Sequence, residues 1–498
     1  SIIQAAKGGS IVFTGNMFSY GSQLVLGILL TRFLGAEQYG QYKVAVIAGE
    51  IAVGVALLGM DYAMVRFISL YNSLNNLPKV LGTIQFGIGL TIISSVVIGI
   101  GLFALANPLA NFIFHEPLLI PVLRIASLIV PISTLSSVLG AATMGFNNMR
   151  YSTISKQIAQ PITRLVLLIP LVYVGLNAKI ALMPYIAGLL VTCGLLMYYL
   201  SKLIPIRHHP KTSQRDPKEL MRFSLPAYFS SLIDNYGPSL QTILLGSLNT
   251  ITNAGIYSVA HQVSVASSLF NQSIGTASSP IVSDLHGRGE NAQMARFYTT
   301  TTKWMFTVNL PMFLVVALLS KPILSIFGNE FIGGSTTLIV LSLANLVIAS
   351  AGIADGVLAM TGHTPTRLAN SIVLTVISLG LCFILIPHLG PVGTALAAFA
   401  AAFVTSLLRV SEVYYLDRLF PYNLSFLKPV AAGSFALVIG LLAQKLVILN
   451  SEIVHALLHG IIILTSYAIM IVLLGISKED RSVFTHLRAH IMIRLSKK

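Results

Sequence analysis

Apolar runs of about 20 residues, the length that crosses a bilayer as a helix, follow one another along the whole chain. They fall at about 9–31, 41–61, 78–105, 118–142, 153–175, 180–202, 221–248, 253–279, 302–320, 336–361, 367–387, 391–416, 426–447 and 455–476. Short polar connections separate them; the longest runs from 201 to 222 and contains RHHPKTSQRDPKE. This pattern predicts an all-α polytopic membrane protein of about 14 transmembrane helices.

The runs repeat. Residues 30–45, LTRFLGAEQYGQYKVA, align without gaps on residues 245–260, LGSLNTITNAGIYSVA. Tyr20-Gly21 matches Tyr236-Gly237, Gly145 and Arg150 match Gly362 and Arg367, and Pro170 matches Pro387, at a near-constant offset of 215–217. Two six-helix lobes of parallel orientation are expected, 1–202 (spans 1–6) and 221–420 (spans 7–12). A basic cytoplasmic linker at 203–220 joins them, and 421–476 adds spans 13–14. Parallel repeats place a central cavity at the lobe interface. Gly40 and Gly255 are expected in tight turns at helix starts, and Tyr42 and Tyr257 in the interfacial aromatic belt.

Composition agrees. Only 9% of residues are charged and 55% are hydrophobic, against about 25% charge in a soluble domain. The net charge of +15 calls for no nucleic acid, because cytoplasmic loops of membrane proteins collect Lys and Arg. With the N-terminus inside, the basic residues outside the spans divide 23 to 6 in favour of the inside. Both termini are therefore expected in the cytoplasm, with the chain in the cell (inner) membrane. Lys7 precedes a stretch that reads as a first transmembrane helix rather than a cleaved signal peptide. The tail 477–498 spaces Phe484, Leu487, Ile491 and Leu495 helically among Arg and His, as in an amphipathic helix on the inner leaflet. Cys193 and Cys382 make no disulfide framework or metal spacing, and His208-His209 reads as solvated loop. No Walker A, HExxH or GxSxG motif occurs, so nothing points to ATP hydrolysis, covalent catalysis or an enzyme.

Polar stripes inside the spans carry the candidate chemistry. Span 1 has Asn16, Ser19 and Gln23; span 2 has Lys43, Glu50 and Asp61; span 5 has Arg150, Thr153, Gln157, Gln160 and Arg164. Span 7 has Asp234, Pro238 and Gln241; span 8 has Tyr257, His261 and Asn271; span 10 has Asn345 and Asp355. Small polar residues serve helix packing as readily as function. An ionised group in hydrocarbon costs about 3 kcal/mol or more, so Glu50, Arg164, Asp234 and Asp355 are expected at a cavity or a partner. Arg409 and Glu412, three apart, are placed to satisfy each other, and Asp61 and Arg66 to form an interfacial ion pair. Gly237-Pro238 in span 7, with Gly21 at the matching place in span 1, are candidate hinges.

LTRFLGAEQYGQYKVA, and GMDYAMVRFIS at 59–69, resemble the signatures of the polysaccharide flippases in the multidrug/oligosaccharidyl-lipid/polysaccharide (MOP) exporter superfamily. The six-plus-six plan with two added helices fits that family too. The resemblance implies a flippase that moves a polyprenyl-(di)phosphate-linked oligosaccharide from the inner to the outer leaflet by rocking two lobes around a cation-lined cavity. It implies a headgroup contact at Arg66. Fourteen spans also resemble the plan of lipid II flippases, which use the extra pair as a groove for the lipid tail. Arg150, Arg164 and Arg367 join Arg66 as inward diphosphate candidates, because Arg offers forked donors. Arg32, Lys43 and Arg124 are candidates nearer the outer end. Asn16, Gln23, Gln157, Gln160, Gln241, Tyr257, His261, Asn271 and Asn345 are candidates for the sugars.

No cofactor or metal is expected. Coupling to membrane potential, H⁺ or Na⁺ is expected at Glu50, Asp61, Asp234 or Asp355. Expected partners are the lipid-linked glycan, membrane lipids and glycan-assembly proteins, with the chain a monomer. A cation-coupled drug or metabolite antiporter of the same superfamily is an alternative, kept open by Asp234 and opposed by the lack of a carboxylate in span 1. A membrane glycan polymerase or ligase would need a sizeable outer loop, and the largest here, near 107–117, is about ten residues.

Overall fold

The structure, a computed structural model, describes residues 2–146, 148–204, 217–446 and 452–475. The tail after 477 and most of the 203–220 linker, with His208-His209, lie outside the described residues, as does the side chain of Asp234. No strand occurs among the described residues, and nine helices there are long and apolar enough to cross a membrane.

In chain order the α-helices are α1 (Ile2–Leu57), α2 (Met60–Ser73), α3 (Leu77–Pro108), α4 (Leu119–Ala126), α5 (Ile129–Gly145), α6 (Met149–Thr153), α7 (Gln160–Val174) and α8 (Ala178–Leu203). There follow α9 (Pro217–Leu248), α10 (Ile251–Ser264), α11 (Ser268–Gly287), α12 (Asn291–Ser325), α13 (Ser335–Ala351), α14 (Ala354–Met360), α15 (Thr364–Asp417), α16 (Leu427–Leu446) and α17 (Glu452–Leu473). Two of these are double. α1 breaks at Gly35 (φ 72°, ψ 177°) and α15 at Gly390 (φ 53°, ψ −127°), backbone conformations that glycine adopts without a Cβ clash. Each half is then long enough for one span. Three further predicted stretches, about 153–175, 221–248 and 253–279, also fall on helical segments, and they carry dense polar stripes. Every predicted stretch therefore has a helix, and the short amphipathic α2 is an addition.

The repeat is visible in the breaks. The one at Gly35 has its counterpart 215 residues on, where α9 ends and α10 begins. Gly40, however, is not in a turn: it lies inside the helical stretch that follows Gly35. A Cβ added there would stand 2.1 Å from the Ile251 carbonyl oxygen, and one on Gly255 would stand 2.5 Å from the Ala36 carbonyl oxygen. The glycines are needed because the two copies of the motif cross at backbone contact, as small residues allow in membranes. Tyr42 and Tyr257 are not in an interfacial belt either, being 2% and 0% exposed.

The chain divides into two compact units, 1–259 with 379–394, and 260–378 with 395–498. In the first, α2, α3, α5 and α8 bury Met60, Met64, Phe67, Ile84, Val138, Leu139 and Leu196 together. In the second, α11, α12 and α14 close over Val282, Met294, Tyr298, Met305 and Val357. There the last two helices also dock on α12, through Ala432, Ala436, Ile463 and Tyr467. Gln444 donates its amide to the Leu318 carbonyl at 2.9 Å, beside the irregular Leu319. Lys428 donates to the Gly475 carbonyl at 2.7 Å, tying the ends of the pair together.

Candidate functional site

Each unit holds a cluster of charged side chains. In the first, the stretch of α1 after Gly35 presents Tyr39, Tyr42, Lys43 and Glu50, with α7 bringing Arg164 and α8 Tyr185. Arg164 Nη2 donates to the Tyr42 hydroxyl at 3.1 Å, and its guanidinium stands 4.4 Å from the centre of the Tyr185 ring. Tyr185 in turn donates its hydroxyl to Glu50 Oε1 at 3.0 Å. Lys43 Nζ lies 5.8 Å from the centre of the Tyr39 ring and interacts electrostatically with both Glu50 and Arg164. Gly188 leaves the space that the Arg164 chain fills; a Cβ there would sit 3.0 Å from Arg164 Cγ. Two basic side chains and one carboxylate thus lie in one cluster, framed by three tyrosines. Stacking of a guanidinium on a ring contributes about 0.5–2 kcal/mol, too little to offset desolvation alone, so the hydrogen bonds are needed as well.

The stretch of α1 before Gly35 makes polar contacts of its own with the 149–174 stretch. Asn16 accepts from the Gln157 amide at 2.6 Å, and Gly15 lies against Gln157 and Thr153. Residues 154–159 form a π-helix. Such a bulge adds a residue to one turn and often marks a functional site. It breaks the even 3,4 spacing read from sequence, so the span 5 residues do not form one straight stripe. Gln160 packs on Gly188 rather than opening outward.

In the second unit, Asp355 at the start of α14 meets two arginines of α15. Arg367 Nε donates to Asp355 Oδ2 at 3.0 Å, and Arg409 Nη2 lies 3.3 Å from Oδ1. Arg409 and Glu412 therefore do not satisfy each other: Glu412 accepts instead from the Asn370 amide.

The profile of a family described as polysaccharide biosynthesis protein matches residues 5–286. The chain belongs to that family. A second profile, MatE, matches residues 226–384. Among curated proteins, the chain is 29% identical over 231 residues to capsular polysaccharide biosynthesis protein CapF of Staphylococcus aureus, covering 45% of this chain and 56% of that protein. It is 27% identical over 240 residues to the probable low-salt glycan biosynthesis flippase Agl15 of Haloferax volcanii, covering 48% and 50%. The chain thus spans about half the length of these two relatives. It is 23% identical over 463 residues to stage V sporulation protein B of Bacillus subtilis, covering 86% and 88%. Its fold is similar to that of the lipid II flippase MurJ in an inward closed conformation, with a TM-score of 0.74 over 94% of this chain and 98% of that one, at 16% identity. It is also similar to an inward-facing multidrug resistance MATE family transporter of the MOP superfamily, with a TM-score of 0.66 over 82% and 97%, at 14% identity. The polysaccharide family expected from the two signatures is the one whose profile matches.

The whole first-unit cluster falls inside the stretch matched by the polysaccharide biosynthesis profile. The other predicted site residues have surroundings of their own. Arg66, in the second signature, is exposed and stacks on Phe223, 4.2 Å from its ring centre; it forms no ion pair with Asp61 among the described residues. Asp61 lies in the first turn of α2, where the helix dipole favours a carboxylate. Arg32, Arg124 and Arg150 are exposed, Arg124 over the Phe103 ring. Gln23 accompanies Ser19 on an exposed face. Gln241 accepts from Tyr257 at 2.8 Å. In the second unit, Asn271 accepts from the Asn309 amide at 2.7 Å, and Asn345 donates to the Ser264 carbonyl at 2.9 Å. His261 is half-buried on α10. Gly21 and Gly237-Pro238 lie within helical stretches, with open space where a glycine Cβ would be. Sequence reasoning missed Tyr185, which sits in span 6 without a polar stripe to mark it.

Proposed function

We propose that the chain is a flippase that carries a polyprenyl-(di)phosphate-linked oligosaccharide from the inner to the outer leaflet of the cell membrane by alternating access, for cell-surface glycan assembly. Both termini are cytoplasmic in this reading, as the basic residues suggest. The observation that supports it most is the cluster of Arg164, Lys43 and Glu50 in a span-lined, tyrosine-framed setting. A diphosphate needs more than one cationic donor, one of them forked. Tyrosine hydroxyls, and the paired amides of Asn16 and Gln157, suit sugar hydroxyls. Arg66, exposed in the second signature, is the candidate for first capture.

One charge crossing 100 mV is worth about 2.3 kcal/mol. The anionic headgroup moves outward with the potential, and the empty cationic site returns with it. Membrane potential therefore drives turnover in this proposal, with H⁺ or Na⁺ coupling at Glu50, Asp61, Asp234 or Asp355. A flipping rate in proteoliposomes indifferent to an imposed potential would remove the coupling while leaving the substrate assignment standing.

Binding tests the substrate. The purified chain should bind a polyprenyl-diphosphate oligosaccharide, and Arg164→Ala should weaken it at least tenfold, about 1.4 kcal/mol. Equal affinity in the two would refute the site. Lipid II in a parallel titration separates the peptidoglycan-precursor alternative. The MatE match over 226–384 favours a second reading, a cation-coupled antiporter, for which a cationic drug would bind more tightly than either lipid.

A further inference from the structure

The second unit holds a pair of arginines whose one carboxylate partner fits them poorly. Asp355 offers Oδ2 to Arg367 Nε in a regular hydrogen bond, but its Oδ1 lies 3.3 Å from Arg409 Nη2 without hydrogen-bond geometry. Both Asp355 Oδ1 and Arg409 Nε are buried atoms with no hydrogen-bond partner among the described residues. A carboxylate is planar and has two oxygens. Each oxygen faces a different arginine through a single nitrogen, so neither fork is held bidentately, as a group with three or more oxygens could hold both. The remaining acid in reach by sequence, Glu412, is held by the Asn370 amide, and no ion pair between it and Arg409 occurs among the described residues. Arg367 and Asp355 are both about two-fifths exposed, at 41% and 36%, so the cluster opens outward rather than being sealed in the core.

The arrangement belongs to one repeat only. Counted 217 residues back, Asp355 and Arg409 correspond to Val138 and Thr192, and only Arg367 has a charged counterpart, Arg150. Val138 is in an apolar core and Thr192 is bonded to its own helix. The shared fold therefore does not need the triad.

We propose that Arg367 and Arg409 form an anion-binding site for a phosphate or diphosphate group, in which Asp355 is an internal placeholder that the ligand displaces. Removing Asp355 leaves two forked cations, matched in charge to a phosphate dianion. The group that binds is either a lipid headgroup or free inorganic phosphate, which share this chemistry.

Inorganic pyrophosphate is the probe, titrated calorimetrically into the full chain carrying Arg164→Ala, so that the first-unit cluster does not contribute. Asp355→Asn added to that background should tighten binding about tenfold, because a competing charge is gone. Adding Arg409→Lys, which keeps the charge but loses the fork, should abolish the gain. A polyprenyl diphosphate that competes with pyrophosphate identifies the lipid headgroup as the source; pyrophosphate binding that the lipid does not displace identifies free phosphate. Unchanged or weaker binding by an Asp355→Asn chain that still melts cooperatively overturns the site. Should that variant fail to fold, Arg367→Gln in the same background must weaken pyrophosphate binding tenfold, and equal affinity overturns the site by that route. Neither result depends on the glycan carried, so the site fails or stands apart from the flippase reading.

Discussion

Arg164, Lys43 and Glu50 stand together in the first repeat, while at the matching places of the second stand Leu381, Ser258 and Val265. The reverse holds for Asp355 and Arg409, whose counterparts are Val138 and Thr192. Between these differences the frame is kept: a break at Gly35 and another after Leu248, a tyrosine at 42 and at 257, a glycine at 40 and at 255. Backbone contacts tolerate little change, because an added atom at Gly40 meets a carbonyl. Charged positions are freer, since each copy needs a polar cluster only where its own ligand or partner lies. In the proposed reading the duplicated frame is architecture, and the unmatched charges are where function separates the copies.

Changes to the frame should have the largest effects and should be alike in both copies. Gly40→Val and Gly255→Val each force a methyl pair into a backbone crossing, and each should destabilise the protein by about 3 kcal/mol or more. Thermal unfolding in detergent measures this, and a loss in only one of the two would break the equivalence of the copies. The tyrosines should separate next. Tyr42 accepts from a charged arginine and Tyr257 donates to a neutral glutamine. Tyr42→Phe should therefore cost about 2 kcal/mol and Tyr257→Phe about 1 kcal/mol. Equal costs would mean that the charge on Arg164 is satisfied elsewhere. The smallest effect is expected outside the repeat: Lys428→Met removes an exposed bond to Gly475 and should cost under about 1 kcal/mol. It should leave lipid binding unchanged.

The helices were legible in the sequence because apolar length alone specifies a span. The repeat was legible because its glycines, tyrosines and prolines keep their offset. The placement of those same residues was not. A glycine between two apolar runs reads as a turn, yet Gly35 makes the break and Gly40 the crossing; a close approach between segments far apart in sequence leaves no local signal. Tyr42 and Tyr257 read as belt residues because they lie near span ends, but their hydroxyls find buried partners. Glu50 and Arg164 were marked by the cost of charge in hydrocarbon. Their link, Tyr185, was not, since a tyrosine in an apolar run carries no such cost. Arg409 and Glu412 were paired by helical spacing, and the structure gives each a different partner, Asp355 and Asn370.

The central claim is that the unmatched cations of the first repeat carry a lipid diphosphate across the membrane. Purified protein in proteoliposomes, loaded with a fluorescent polyprenyl-diphosphate oligosaccharide, tests it by following the label as it becomes accessible to an external quencher. The chain should move the lipid, and Arg164→Ala should slow the movement at least tenfold while the melting temperature stays within a few degrees. Movement at the same rate in both proteins, or none above empty liposomes in either, would contradict it.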